Sequence, residues 1–220
     1  MHVSAIVPAY NEEGWVGKTV EALFKLPDIV EVIVVDDGSS DKTALEALSA
    51  GAIVCRNSSN KGKSQALRDG ARISRGELLA FVDADLRDSA LEMCKLIQPV
   101  AADEADMTVA RFNSSGKTAG LGLVKALAYW SIRLYTGQEM LAPLSGQRVI
   151  KRSLWETIDF KAEGFAAEVA LTIESIRKGF RVKEIPVEMS HRMRGNDFRS
   201  YLHRGSQFFA VMKLLLRHNF

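Results

Sequence analysis

Leu78-Leu79-Ala80-Phe81-Val82-Asp83-Ala84-Asp85 is the stretch on which the fold turns. Five consecutive apolar residues describe a strand covered on both faces, and the two carboxylates that follow mark its exit from the core. Upstream, Val3 to Pro8 forms a similar apolar run that leads into Ala9-Tyr10-Asn11-Glu12. Val30 to Val35 is a β-branched run ending in Asp36-Asp37-Gly38-Ser39-Ser40-Asp41, and Ala52 to Arg56 is a short strand. Between them, Glu13 to Lys25, Lys42 to Ala50 and Lys63 to Ile73 have helical periodicity. Four strand–helix alternations within about 85 residues are most economically satisfied by a parallel, right-handed βαβ sheet. The fold class is therefore α/β, a Rossmann-like three-layer sandwich with a mostly parallel central sheet.

The second half is less regular. Asp106 to Ala110, Ser145 to Ile150 and Arg181 to Val187 are expected strands, with helices over Leu121 to Tyr135 and Ala166 to Lys178. The segment from Asn113 to Gly120 is a polar loop and His191 to Ser200 reads as a polar, mobile stretch; that loop and Arg192 to Ser200 are expected to order on ligand binding. Tyr201 to Leu216 is an expected amphipathic helix. The whole chain, 1–220, is taken as one domain, with a nucleotide half (1–110) and an acceptor half (111–220).

Composition narrows the class. The 220 residues are 47% hydrophobic and 25% charged, ordinary for a globular protein with a buried core. No run approaches the roughly 18 apolar residues of a membrane span, and no signal peptide precedes the first strand, so a cytoplasmic location is expected. Cys55 and Cys94 fall in apolar patterns and are expected as buried thiols. From Arg177 onward ten Lys/Arg face three Asp/Glu, a net +7, which leaves −5 on the rest of the +2 chain. That asymmetry fits a local anionic partner and not a nucleic acid; it leaves room for peripheral contact with a membrane face, and self-association into a homodimer stays open.

In a parallel sheet, ligands bind beyond the carboxyl ends of the strands. Three acidic clusters end three of the expected strands: Glu12, then Asp36, Asp37 and Asp41, then Asp83 and Asp85. Each has a structural alternative; Asp36 to Asp41 also suits a turn and a helix cap. Together they point to a shared rim, where Asp83-x-Asp85 can face a divalent ion such as Mg²⁺ or Mn²⁺. Asn60-Lys61-Gly62-Lys63-Ser64, ahead of a helix, offers a glycine, two cations and free N–H groups to a diphosphate. It lacks P-loop spacing, and the first strand lacks the dinucleotide glycine fingerprint, which disfavours ATP-dependent kinase chemistry and NAD binding.

Val7-Pro8-Ala9-Tyr10-Asn11-Glu12-Glu13, Val34-Val35-Asp36-Asp37-Gly38-Ser39-Ser40-Asp41, Asn60-Lys61-Gly62-Lys63 and Phe81-Val82-Asp83-Ala84-Asp85-Leu86 resemble, in order and separation, the family 2 glycosyltransferases of the GT-A fold. The resemblance covers about the first 90 residues. It implies a metal-dependent enzyme that moves a sugar from a nucleotide-diphosphate sugar. It further implies that Pro8, Ala9, Tyr10 and Glu12 line the base and ribose pocket and that Asp36 or Asp37 hydrogen-bonds the base. Lys61 and Lys63 would lie near base or diphosphate, and Asp83 and Asp85 would serve ribose and metal, with His191 completing the metal shell.

The second half narrows the acceptor to a phosphate-bearing molecule. Leu144-Ser145-Gly146-Gln147-Arg148, Gly164 to Val169 and Glu184-Ile185-Pro186-Val187 resemble both polyprenyl-phosphate (dolichol-phosphate mannose synthase-like) enzymes and glucosyl-3-phosphoglycerate synthases. Arg148, Arg192 and Arg194 are the candidate acceptor-phosphate cations, since guanidinium matches phosphate in a bidentate way. A polyprenyl phosphate needs no protein base, whereas a sugar-acid hydroxyl must lose a proton, to Glu168 if configuration inverts or to the leaving diphosphate itself if it is retained; a structural or substrate-hydroxyl role is the alternative for Glu168. Two rivals come from other classes: a nucleotidyltransferase, disfavoured because no glycine-rich loop follows the first strand, and a non-catalytic nucleotide-sugar binding module.

Overall fold

The computed structural model describes residues 1–112, 122–158 and 165–190. It contains a seven-stranded sheet in the order β3-β2-β1-β4-β6-β5-β7. The strands are β1 (Val3–Ala9), β2 (Ile29–Asp36), β3 (Ile53–Arg56), β4 (Leu78–Phe81), β5 (Met107–Phe112), β6 (Arg148–Lys151) and β7 (Val182–Val187). All pairings are parallel except those of β6, which runs antiparallel to both β4 and β5.

Helices cover both faces, because β1, β2 and β4 are apolar on both sides. On one face α1 (Val16–Phe24), α2 (Thr43–Ser49) and α4 (Met93–Ala101) pack on Val3, Ala5, Val7, Val32 and Val34. On the other, α3 (Lys63–Ile73), α5 (Gly122–Thr136), α6 (Arg152–Thr157) and α7 (Phe165–Arg177) enclose Ile6, Leu79, Phe81, Met107 and Ile150. This is the expected α/β sandwich. Gly70 permits a close approach of α3 to β1: a Cβ there would lie 2.5 Å from Ile6 Cγ2.

Chain order explains where a ligand can enter. The chain leaves β1 toward β2 and β3, then crosses back to place β4 on the other side of β1. The connections on either side of β1 and β4 therefore diverge, opening a crevice at their carboxyl ends.

Several expectations need correction. Residues 145–147 are not strand; β6 begins at Arg148, and the three residues before it form part of the sheet's ligand-side rim. Cys55 and Cys94 are free but only half-buried. Helices α4 and α6 and the 3₁₀ turn at Arg87–Glu92 were not among the expected elements, although Met93, Leu96, Ile97 and Val100 of α4 fall on a helical period. The expected loop over 113–120, the segment 192–200 and the helix over 201–216 lie outside the described residues, as do His191, Arg192 and Arg194.

Candidate active site

A cleft of about 570 Å³ opens at this switch point. One wall is the β1 exit, with Pro8, Ala9, Tyr10 and Glu12; the other is the β4 exit, with Asp83, Ala84 and Asp85. Asp37, Asn60, Gly62 and Lys63 close the end next to α3. Tyr10 is 47% exposed, which leaves its ring on the rim, whereas Glu12 is buried. Glu12 owes its position to the backbone: its N–H donates to Thr43 Oγ1 at 2.8 Å, and its carbonyl accepts the first N–H groups of the α1 turn.

The Asp36-Asp37 pair divides its labour. Asp36 is fully buried, accepts from Ser39 N at 2.9 Å and meets Arg56 Nε at 3.1 Å. It builds the turn and does not line the cleft, which removes the expectation that it contacts a base. Asp37 does line it, and gathers the lysine loop by accepting from Asn57 Nδ2, Lys61 N and Gly62 N at 2.8–3.0 Å. Gly38 sits at φ +80°, and a Cβ there would come within 2.9 Å of the Ser59 backbone, so the turn requires glycine. Asp41, one residue ahead of the N-cap Lys42, accepts from Thr43 N at 3.0 Å and from Glu13 N at 3.1 Å, and so ties the turn to the start of α2.

Lys61 does not line the cleft: its backbone N–H donates to Asp37 and its ammonium donates to Asn57 Oδ1 at 3.2 Å. Lys63 enters the cleft, with Nζ 2.5 Å from Asp83 Oδ1. Desolvation disfavours this ammonium, but Asp83, Glu168 and Asp85 outweigh it and raise the Lys63 pKa. Gly146, from the loop before β6, lies on this ion pair: a Cβ at that position would be 2.5 Å from Lys63 Nζ and 3.8 Å from Asp83 Oδ1.

Glu168, in the first turn of α7, faces the same charges. Burial raises its pKa, while Lys63 and Arg148 oppose the rise, and its Oε2 is sealed from solvent with no hydrogen-bond donor. A carboxylate so placed is short of partners until a ligand supplies one.

Arg148 is a correction. It is only 1% exposed, and its guanidinium donates to Ser145 O and Thr172 Oγ1 at 2.9 Å each. Burial pushes its pKa down to about 10, still far above neutrality, so it remains a charged strut within the fold and cannot meet an acceptor phosphate in the open cleft. Sequence reasoning overlooked Asn57, although a polar residue directly after β3 falls under the strand-exit rule, and it gave Gly146 no role of its own, although that glycine stands within the Leu144–Arg148 stretch that carries the resemblance. Among the described residues no group of three His, Cys, Asp or Glu side chains is arranged to hold a metal ion, and no helix is long and apolar enough to cross a membrane.

Comparison with known proteins agrees with this geometry. An uncharacterised protein of Methanocaldococcus jannaschii is 29% identical over 196 residues, covering 84% of this chain and 80% of that one. Glucosyl-3-phosphoglycerate synthase of Mycolicibacterium smegmatis is 30% identical over 193 residues, covering 79% of this chain but 63% of its own length, so this chain spans less than two thirds of that enzyme. Among solved structures, glucosyl-3-phosphoglycerate synthase of Mycobacterium tuberculosis in complex with phosphoglyceric acid superposes with a TM-score of 0.80 at 25% identity, over 98% of this chain and 79% of that one. The same enzyme with Mn²⁺, uridine diphosphate and glucosyl-3-phosphoglycerate gives 0.79 at 26% identity, over 98% and 78%. The family model described as Glycosyl transferase family 2 matches residues 4–153, which contain every cleft residue named above except Glu168, and the chain belongs to that family.

Proposed function

We propose that the chain transfers a sugar from a nucleoside-diphosphate sugar to a phosphate-bearing acceptor, with Mg²⁺ or Mn²⁺ bound at Asp83 and Asp85. The observation that carries this reading is the pair of carboxylates at the β4 exit, both on the cleft, with Asp83 already holding a cation, the Lys63 ammonium, at 2.5 Å. Hard carboxylate oxygens suit either metal, and neighbouring charge on a diphosphate would supply the remaining ligands. When bound, the metal supplies charge neutralisation for the departing diphosphate.

The protein's own residues do the rest. Pro8, Ala9 and Tyr10 offer a surface for base and ribose, with Asp37 holding the lysine loop in place for a diphosphate. Lys63 holds positive charge over the place where negative charge develops. Glu168, its proton affinity raised by burial, holds a sugar hydroxyl or accepts the acceptor's proton.

For the acceptor, the relatives named for glucosyl-3-phosphoglycerate synthesis support a small phosphorylated acid. A polyprenyl phosphate is the second reading, favoured by one feature: Leu123, Trp130 and Leu134 stand 79%, 61% and 80% exposed on one face of α5, as an amphipathic helix at a membrane surface would hold them. Uridine diphosphate-glucose is the first donor to test, because the solved relatives hold uridine diphosphate. Release of uridine diphosphate that depends on Mn²⁺ and on 3-phosphoglycerate supports the first reading, and dependence on a polyprenyl phosphate in vesicles supports the second. Release of pyrophosphate from a nucleoside triphosphate would replace both with a nucleotidyltransferase.

A further inference from the structure

We propose that Thr19 is a positioning residue for the two cleft carboxylates, its buried hydroxyl pinning the Asp83-Ala84-Asp85 turn to α1 and, through α1, to the opposite wall of the cleft. This rests on the metal-dependent reading above. Thr19 is wholly inaccessible, on the inner face of α1. Its Oγ1 donates to Ala84 O at 2.8 Å and accepts from Arg87 N at 2.8 Å. A helical threonine usually satisfies itself on the carbonyl four residues back; here that contact, to Trp15 O, is the longer at 3.3 Å.

Ala84 lies between the two carboxylates, so anchoring its carbonyl fixes the Ala84–Asp85 peptide, to which Asp85 is attached directly and Asp83 through one further peptide. Beyond it, Arg87 has a φ of 50°, a left-handed conformation that residues with side chains seldom take. Such a residue persists only where its surroundings over-determine it. Arg87 is held by Thr19 at its N–H, by the Trp15 ring under its guanidinium at 3.4 Å, and by Gly14 O, which accepts from Nη2 at 3.2 Å.

The other end of the latch reaches the nucleotide wall. Trp15 N and Val16 N both donate to Glu12 O at 3.1 Å, and Glu12 lines the cleft. The first turns of α1 therefore join the β1 exit to the β4 exit by hydrogen bonds at each end. Valine has the shape of threonine but can neither donate nor accept, so Thr19→Val cuts the latch while leaving the helix packed.

The test measures Mn²⁺ binding to the full chain in saturating uridine diphosphate by electron paramagnetic resonance of free Mn²⁺. Metal-free uridine diphosphate binding by calorimetry and the melting temperature accompany it. Thr19→Val is expected to weaken Mn²⁺ binding about tenfold or more, as loss of a group orienting metal ligands does. Metal-free nucleotide affinity should stay within about twofold, and Thr19→Ser should restore Mn²⁺ binding to within about threefold of the parent. Unchanged Mn²⁺ affinity in Thr19→Val, equal losses of metal and metal-free nucleotide binding, or failure of Thr19→Ser to recover would overturn the proposal. If Thr19→Val does not fold, Arg87→Ala decides: it keeps the N–H bond but loses the Trp15 stack, and at least about threefold weaker Mn²⁺ binding is expected, no change overturning the latch. Absence of nucleotide-dependent Mn²⁺ binding in the parent would overturn the metal-dependent reading and this proposal together, whereas parent binding with an unaffected Thr19→Val overturns this proposal alone.

Discussion

Replacing Arg148 by methionine tests whether this arginine belongs to the fold or to the acceptor site. The side chain is 1% exposed, and its guanidinium serves Ser145 O, Thr172 Oγ1 and, at 3.4 Å, Pro143 O. Two of these acceptors lie in the loop that carries Gly146 onto the Lys63–Asp83 pair, and Glu184 holds the same loop from its other side by accepting Leu141 N and Ala142 N. Methionine fills most of the volume but leaves these carbonyls without donors and deprives Glu168 of a neighbouring cation. Removing one partner from a buried charged network costs about 3–5 kcal/mol, a large part of the 5–15 kcal/mol that holds a typical domain together. In a chain of this size that corresponds to a fall of about 10 °C in melting temperature. Urea unfolding followed by far-ultraviolet circular dichroism should show a lowered midpoint at unchanged slope. Arg148→Lys should recover only part of the loss, since one ammonium cannot reach acceptors on both sides. The cost of Glu168→Gln should shrink in the Arg148→Met background, by about 0.5–3 kcal/mol of coupling. A variant within about 0.5 kcal/mol of the parent, as surface substitutions are, would refute the buried-strut assignment.

Three further outcomes are expected. Glu168→Gln should lower turnover about a hundredfold or more with donor affinity within about twofold, measured by steady-state kinetics and calorimetry; unaltered turnover would take Glu168 out of the site. Gly146→Ala should leave the melting temperature nearly unchanged, because its new methyl meets the flexible end of Lys63, yet weaken uridine diphosphate binding about fivefold, equivalent to one ordinary hydrogen bond. Asp106, buried between Arg181 and Lys151, has a pKa held well below the carboxylate range by the Arg181 hydrogen bonds against the opposing effect of burial, with Lys151 adding to them. A depressed folded pKa contributes stability above the unfolded value of about 4, and that stability is lost as pH falls toward the folded one. Asp106→Asn should therefore cost about 1–2 kcal/mol at pH 7, and its gap from the parent should narrow between pH 5 and 2; a gap independent of pH would contradict the pairing.

Much of the first half of the chain was legible in the sequence. Strands β1, β2 and β4 are apolar on both faces, so their extent is written in composition, and the residues at which that run ends are the residues on the cleft. The rule locates strand exits, however, and not the direction of a side chain. It therefore brought Asp36 forward together with Asp37, and Lys61 with Lys63, although neighbours on a turn diverge: Asp36 goes to Ser39 N and Arg56, and the Lys61 ammonium to Asn57. Thr19 had no signal at all, since a threonine on the apolar face of an amphipathic helix reads as core.

The far wall of the cleft was hidden for a topological reason. β6 pairs antiparallel with β4 so that Arg148 faces Phe81 and Lys151 faces Leu78. Continuing that register past the strand ends sets Gly146 opposite Asp83, and the 3.8 Å from a Cβ at Gly146 to Asp83 Oδ1 agrees with it. A strand that enters the sheet backwards presents the residues before it, not those after it, to the ligand edge. The strand-exit rule searches after each strand, so it could not find Gly146, and it left Arg148 looking like a rim cation when it is the first buried residue beyond the rim. The same reversal brings α7 and Glu168 over the Lys63–Asp83 pair, because Arg148 reaches Thr172 on that helix. This end of the cleft is thus a consequence of one antiparallel strand, and a substitution that loosened β6 from β4 would disturb Gly146, Arg148 and Glu168 together while leaving the Pro8–Glu12 wall in place.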